Sequence, residues 1–200
     1  IVNNGLIDID NVADMGIYNN TSNTGEIHFT NENIIDINTG TDRFIYNLTD
    51  NASKVYFTNN DSITLANTNE AGIYNYSRDG EIHFTNSNMA VIDIDNIGDE
   101  AGIYNLCKKE VPEYEANLYF DNFGTINIDN IIDHGFLFNN NNGTITGNNA
   151  GDININTTTL HGFHCYNVAA NSDFPLNINF TNTGNVSVMN TQQNAFYNYT

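Results

Sequence analysis

What most constrains this chain is an internal repeat of about 28 residues. Gly-Ile-Tyr-Asn stands at Gly16–Asn19, Gly72–Asn75 and Gly102–Asn105, with Phe-Ile-Tyr-Asn at Phe44–Asn47. Glu-Ile-His-Phe-Thr-Asn stands at Glu26–Asn31 and Glu81–Asn86, and Lys54–Asn59 is a related copy between them. Ile-Asp-Ile-Asp occurs at Ile7–Asp10 and Ile92–Asp95, with variants at Ile34–Asn38 and Ile126–Asp129. Counted from the first strand, units begin at Ile7, Ile35, Ile63, Ile92, Ile126, Ile153 and Val186, in steps of 28, 28, 29, 34, 27 and 33 residues. A repeat this short cannot bury its apolar face alone and must stack on its neighbours.

Each unit holds three β-type segments, and most end in Asn. Asn11, Asn67, Asn96, Asn130 and Asn190 follow the first segment. Asn19, Asn47, Asn75, Asn105, Asn139, Asn167 and Asn198 close the second, and Asn31, Asn59, Asn86, Asn122, Asn148 and Asn182 the third. Strand side chains alternate between faces, so the Ile and Phe positions and these Asn share the inner face. The implied fold is all-β: a right-handed parallel β-helix with three strands per coil and Asn ladders at the corners. It forms a single solenoid segment of about seven coils over residues 1–200. Parallel crossovers are right-handed in nearly all cases. Stacked amides bond to the copies above and below, and Asn tolerates the left-handed backbone of a tight corner. With 41 Asn in 200 residues, the odd composition has a mechanical cause. Each coil buries roughly five apolar side chains at ~1.5–3 kcal/mol apiece, and only stacking makes that burial available. A β-sandwich of short strands is the less regular alternative.

Composition removes several classes. Five Lys+Arg against 24 Asp+Glu give a net charge of −19, which leaves nothing to neutralise a run of phosphates or an anionic membrane. No apolar run approaches the ~18 residues of a membrane-spanning helix. A chain that is 40 % hydrophobic has enough apolar residues for a core, and two Cys are too few for a disulfide framework. The sequence opens and closes within the repeat pattern, so the expectation is a segment of a longer repeat protein.

The Ala-Gly-Ile-Tyr-Asn copies at Ala71–Asn75 and Ala101–Asn105 resemble the short G-x-[IF]-x-N motifs of β-helical adhesins and polymorphic outer-membrane proteins. The acidic, Asn-rich composition is similar to that of giant secreted adhesins and filament proteins of marine Bacteroidota, grappling-hook-like filaments among them. The resemblance implies a secreted, non-catalytic role at the cell surface or outside it, and brings no catalytic residues with it.

Several columns could carry chemistry. Asp14, Asp42, Glu70, Glu100 and Asp133 precede the second segment in five consecutive coils. Carboxylates ~5 Å apart repel unless solvated, protonated or bridged by a hard cation. Solvated turn caps are the simpler reading, and Ca²⁺ is the cofactor the column would otherwise take. His28 and His83 share an outward column with Tyr56 and Tyr119, two coils apart. His134, His161 and His164 gather near a corner without Cys or carboxylate at zinc spacing, and read as surface or stacking residues. Cys107 and Cys165 fall at different positions and are not expected to pair. Glu26, Lys54 and Glu81 alternate in sign down one outward column.

An outward aromatic stripe, Tyr18, Tyr46, Tyr74, Tyr104, Phe138, Tyr166 and Tyr197, is read as an interface with another copy of the chain or with further repeats of the same protein. The longer coils take their extra residues at one corner, Leu106–Ala116 and Val168–Leu176, an expected contact side. The function expected is a rod segment of an adhesin or extracellular filament, not an enzyme. A glycan or protein of a cell surface is an alternative partner. A polysaccharide-binding or polysaccharide-degrading β-helix is the alternative function. It would need a groove with a distinctive acid pair, which evenly repeated acids and scattered basic residues do not supply. Ice binding lacks paired Thr-x-Thr rows.

Overall fold

A computed structural model of the chain describes residues 1–22, 24–111, 116–141, 143–168 and 177–199. Twenty-one strands and no helix occur among these residues, arranged as three parallel sheets of seven strands. The first sheet collects the Ile-Asp-Ile-Asp segments, from Ile7–Val12 to Asn185–Thr191. The second collects the Gly-Ile-Tyr-Asn segments, from Ile17–Thr21 to Phe196–Tyr199. The third runs from Val2–Asn3 to Asn177–Asn182. Every third strand in the chain lies beside its own copy, which makes the molecule a right-handed parallel β-helix. The expected register holds in the first sheet: Ile7, Ile35, Ile63, Ile92, Ile126, Ile153 and Val186 are successive pairing partners.

Inside the coil, like stacks on like. Phe29, Phe57, Phe84 and Phe120 form a file of rings with centroids 5.0, 4.8 and 5.3 Å apart. The file leaves the third sheet at Gly147, whose place for a Cβ is filled by the ring of Phe180. Bulk then reappears in the second sheet, where Phe136, Phe163 and Phe196 stack at 4.6 and 4.9 Å. Phe120 touches both Phe136 and Phe138 at the handover, with centroids 5.5 and 5.1 Å away. Phe44 stands where neighbouring coils have glycine, and its ring is admitted by Gly40, where a Cβ would lie 2.5 Å from Phe44 Cε1.

Two inward amide ladders run along the axis. In the third sheet each of Asn3, Asn31, Asn59, Asn86, Asn122 and Asn149 donates from Nδ2 to the Oδ1 of the next, ending on Asn182, at 2.7–3.0 Å. The same Nδ2 groups also reach main-chain carbonyls at the corner, as Asn31 does to Ser62 and Asn59 to Asp61. In the second sheet Asn19, Asn47, Asn75 and Asn105 are linked in the same way at 2.7–2.8 Å.

Three parts of the expected pattern are corrected. The Asn after the first segment does not face inward: Asn11, Asn67, Asn96, Asn130 and Asn190 are exposed with φ of 53–65°. They turn the corner in the left-handed region, and the next residue (Thr68, Ile97 or Ile131) enters the core instead. Their amides ladder outside, Asn96 Nδ2 to Asn67 Oδ1 at 3.1 Å for instance. The inward residue closing the sixth third-sheet strand is Asn149, not Asn148, because Asn148 pairs with outward Asp121. Asn139 likewise faces out and Asn140 is buried in its stead.

The inner ladder should matter far more than the outer one. Asn59→Ala strands the Asn31 amide and removes a donor to Asn86, and is expected to cost about 3 kcal/mol. Asn96→Gly keeps the left-handed corner and should change stability by less than about 0.5 kcal/mol. Urea unfolding of both variants checks the contrast.

Candidate functional site

One corner departs from uniformity. It is the furrow between the turn that leads into the second sheet and the outward side of that sheet. Strand register places Asp14, Asp42, Glu70, Glu100 and Asp133 on one line here, as expected. The arginine one residue after Asp42 occupies this line's middle. Arg43 Nη2 lies 2.9 Å from Glu70 Oε2 and 2.6 Å from Glu100 Oε1, and Nη1 lies 3.3 Å from Asp42 Oδ1. Its Nε also donates to Glu100 Oε2 at 3.0 Å. At the equivalent position the next two coils carry Ala71 and Ala101, both fully buried, so the long side chain can lie along the axis. Its guanidinium carbon sits 4.5 Å from the ring centre of Tyr74 and 5.1 Å from that of Tyr46. One basic residue therefore holds three acids and two aromatic faces.

The acids respond unequally. Burial would raise Asp42, but the Arg43 backbone N–H at 2.7 Å, a bond shared with Glu70 and the guanidinium outweigh it and hold Asp42 below the ordinary carboxylate range. Burial, and next the bond shared with Asp42, push Glu70 upward. Asp133 lies one coil beyond Glu100, the farthest acid that Arg43 holds, and burial with the charges of Asp99 and Glu100 lifts it to about 6.

The far end of the furrow is built from histidine. His134 pairs with Ala101, so it stands in the line of Arg43, and His161 follows it one coil on. His164 pairs with Leu137 in the next outward line. The rings of His134, His161 and Tyr197 form a parallel stack, 5.2 and 4.7 Å between centroids. His164 crosses this stack at 64° and 73°, with its Nδ1 3.3 Å from His134 Nε2. The backbone N–H of His161 donates to His134 Nδ1 at 3.3 Å, and that of Asn194 to His161 Nδ1 at 3.2 Å. Both rings accordingly carry their proton on Nε2 when neutral. Burial, then His164 and His161, drive His134 down to about 4. Burial lowers the other two histidines as well. The stacking expected from the sequence is present, but His134 and His161 are buried rather than at the surface. A sequence signal existed: His-Gly-Phe occurs at His134–Phe136 and His161–Phe163, where earlier coils have Ala-Gly-Ile.

The aromatic stripe is partly as expected. Tyr18, Tyr46, Tyr74 and Tyr104 are in register, with centroids 5.4, 5.0 and 4.7 Å apart. Leu137, His164 and Tyr197 then continue the line. Phe138 and Tyr166 do not belong to it. Phe138 is fully buried, pairing with Asn105 and Cys165, and Tyr166 lies two residues along the strand, stacked on Tyr199 at 5.3 Å. The motif is anchored by its glycine, and after Gly135 and Gly162 the ladder position holds Phe138 and Cys165 instead of Asn. The stripe is also less open than a free apolar band: Tyr18 is 47 % exposed but Tyr74 only 7 %.

On the third sheet, His28, Tyr56, His83 and Tyr119 stack face to face at 4.6–4.8 Å, and Lys54 Nζ meets Glu81 Oε2 at 2.9 Å. Cys107 and Cys165 are buried free thiols. Of the two long connections, residues 112–115 and 169–176, with Pro112 and Pro175, lie outside the described residues.

Arg43→Met should leave three partly buried acids without their cation and cost about 2–3 kcal/mol at neutral pH. Asp42 has a lowered folded-state pKa, so its contribution is present above 3.8 and lost below it. The part of the difference that Asp42 supplies should therefore be full at pH 7 and shrink as the pH falls below 3.8. Thermal unfolding from pH 7 to pH 3 provides the check.

Comparison of the chain with protein-family models, with curated proteins and with solved structures finds no match.

Proposed function

We propose that the chain is a structural rod segment of a secreted or cell-surface adhesin or extracellular filament, acting in attachment or assembly rather than catalysis. The observation that carries this reading is the unbroken pairing of all three sheets through every coil, with amide ladders inside. A solenoid of this kind resists bending and shear because each coil is hydrogen-bonded to the next along three faces at once. The acids most able to act as a pair, Asp42 and Glu70, are engaged by Arg43 and so serve cohesion. The partner class in this reading is a second copy or further repeats of the same protein, meeting the exposed ends of the tyrosine line. Tyr18 and Tyr197 are the most open members of that line.

A second reading has one observation in its favour. Asp133 and His134 are unlike titratable groups 3.3 Å apart, each displaced from its ordinary range, a combination that general acid–base chemistry draws on.

Sedimentation of the purified chain over a wide concentration range tests the rod reading. Self-association that weakens at least tenfold in the Tyr18→Ser, Tyr197→Ser double variant is the expected result. A strictly monomeric chain that instead cleaves an acidic or neutral polysaccharide, and loses that activity in Asp133→Asn, would replace it with the second reading.

A further inference from the structure

Two buried polar atoms at the histidine end of the furrow have no hydrogen-bond partner. They are His164 Nε2 and Asp133 Oδ1, the latter facing His134 Nε2 at 3.3 Å without a bond of usable geometry. Asp133 Oδ1 thus stands uncommitted beside a cluster of imidazoles, where a buried polar atom needs a partner, while His164 Nε2 is the ring nitrogen that keeps the proton when Nδ1, which faces His134, accepts a ligand. Ring stacking accounts for the parallel His134, His161 and Tyr197. It does not account for His164, which stands across that stack with a nitrogen turned to His134.

We propose that His134, His161 and His164, with Asp133 as an oxygen donor, bind a borderline divalent metal ion of the zinc class. One ring nitrogen from each histidine lies within 4.8 Å of those from the other two. In a tetrahedral site with bonds of ~2.0–2.1 Å, donor atoms lie about 3.3–3.4 Å apart. The His134 Nε2 to His164 Nδ1 and His134 Nε2 to Asp133 Oδ1 separations are both already 3.3 Å. Closing the remaining gap of at most about 1.5 Å takes a modest rotation of the His161 ring. Nitrogen donors disfavour Ca²⁺ and Mg²⁺, which seek oxygen, and three imidazoles with one carboxylate suit zinc. Asp99 and Glu100, whose charges act on Asp133, add a negative field that draws a cation in.

Coordination through Nε2 of His134 and His161 moves the remaining proton of each ring to Nδ1. The contacts from the backbone N–H groups of His161 and Asn194, already long at 3.3 and 3.2 Å, are given up in exchange for metal–nitrogen bonds. Those two amides therefore report on binding. The site joins two adjacent coils, so an ion bound there would also clasp them together.

The test is calorimetric titration of EDTA-treated, dialysed chain with ZnCl₂, alongside CaCl₂ and MgCl₂. One zinc per chain is expected, with a raised melting temperature and displaced amide resonances of His161 and Asn194. Binding should weaken at least tenfold in His161→Phe and in His164→Phe, which keep a ring at each position. Absence of binding, an affinity unchanged from the parent in either variant, or equal affinity for Ca²⁺ would overturn the proposal. Should either variant fail to fold, the Co²⁺-loaded parent chain decides: visible absorption of a tetrahedral nitrogen-ligated ion supports the site, and an octahedral spectrum overturns it.

Discussion

Coil-on-coil amide bonding inside the solenoid is the constraint on which everything else depends. A corner in a β-helix turns main-chain groups toward the core, where unpaired carbonyls would be costly. The inward Asn of the third sheet answers two needs with one side chain: its Nδ2 satisfies a corner carbonyl and its own copy in the next coil. Because that geometry works only when Asn faces Asn, register is fixed along the whole ladder. Slippage by one residue would put every apolar side chain of the strand outside. The phenylalanine file and the buried isoleucines follow from that register.

Regularity also gives meaning to the exceptions. Arg43 is the one long basic side chain in a line otherwise given to Met15, Ala71, Ala101, two histidines and Asn194. Its three acids would repel one another in its absence, and its neighbours are small enough to let it lie flat. Where the arginine's reach ends, Asp133 is left raised and the histidines begin. The furrow thus has a cohesive half and a half whose titratable groups are not used up in holding the coil together.

Much of the fold was legible in the sequence, because a parallel solenoid translates periodicity directly into contact. The first-sheet register was read without error from the spacing of isoleucines alone. The errors came where Asn was taken as the anchor of the motif. Asn is used three ways here: inward in ladders, outward in left-handed corners, and freely on the surface. Its abundance therefore blurs the frame, while glycine, confined by close packing such as Gly72 against Gly102 O, keeps it. Counting from Gly135 and Gly162 would have placed Phe138 and Cys165 indoors. The furrow's chemistry was less legible. Arg43 meets Glu100 across 57 positions of sequence, and only the stacking of coils makes them neighbours.

The migration of aromatic bulk from the third sheet to the second has a consequence for how such a chain can evolve. Coils look interchangeable by motif, yet the coil holding Phe120 meets a coil with Phe84 on one side and a coil with Gly147 and Phe136 on the other. Duplication or loss of a unit is tolerated only where the unit's neighbours present the same ring on the same side. Exchange of units is therefore easiest within the third-sheet run of Phe29, Phe57 and Phe84 or the second-sheet run of Phe136, Phe163 and Phe196, where successive units present the same ring on the same side.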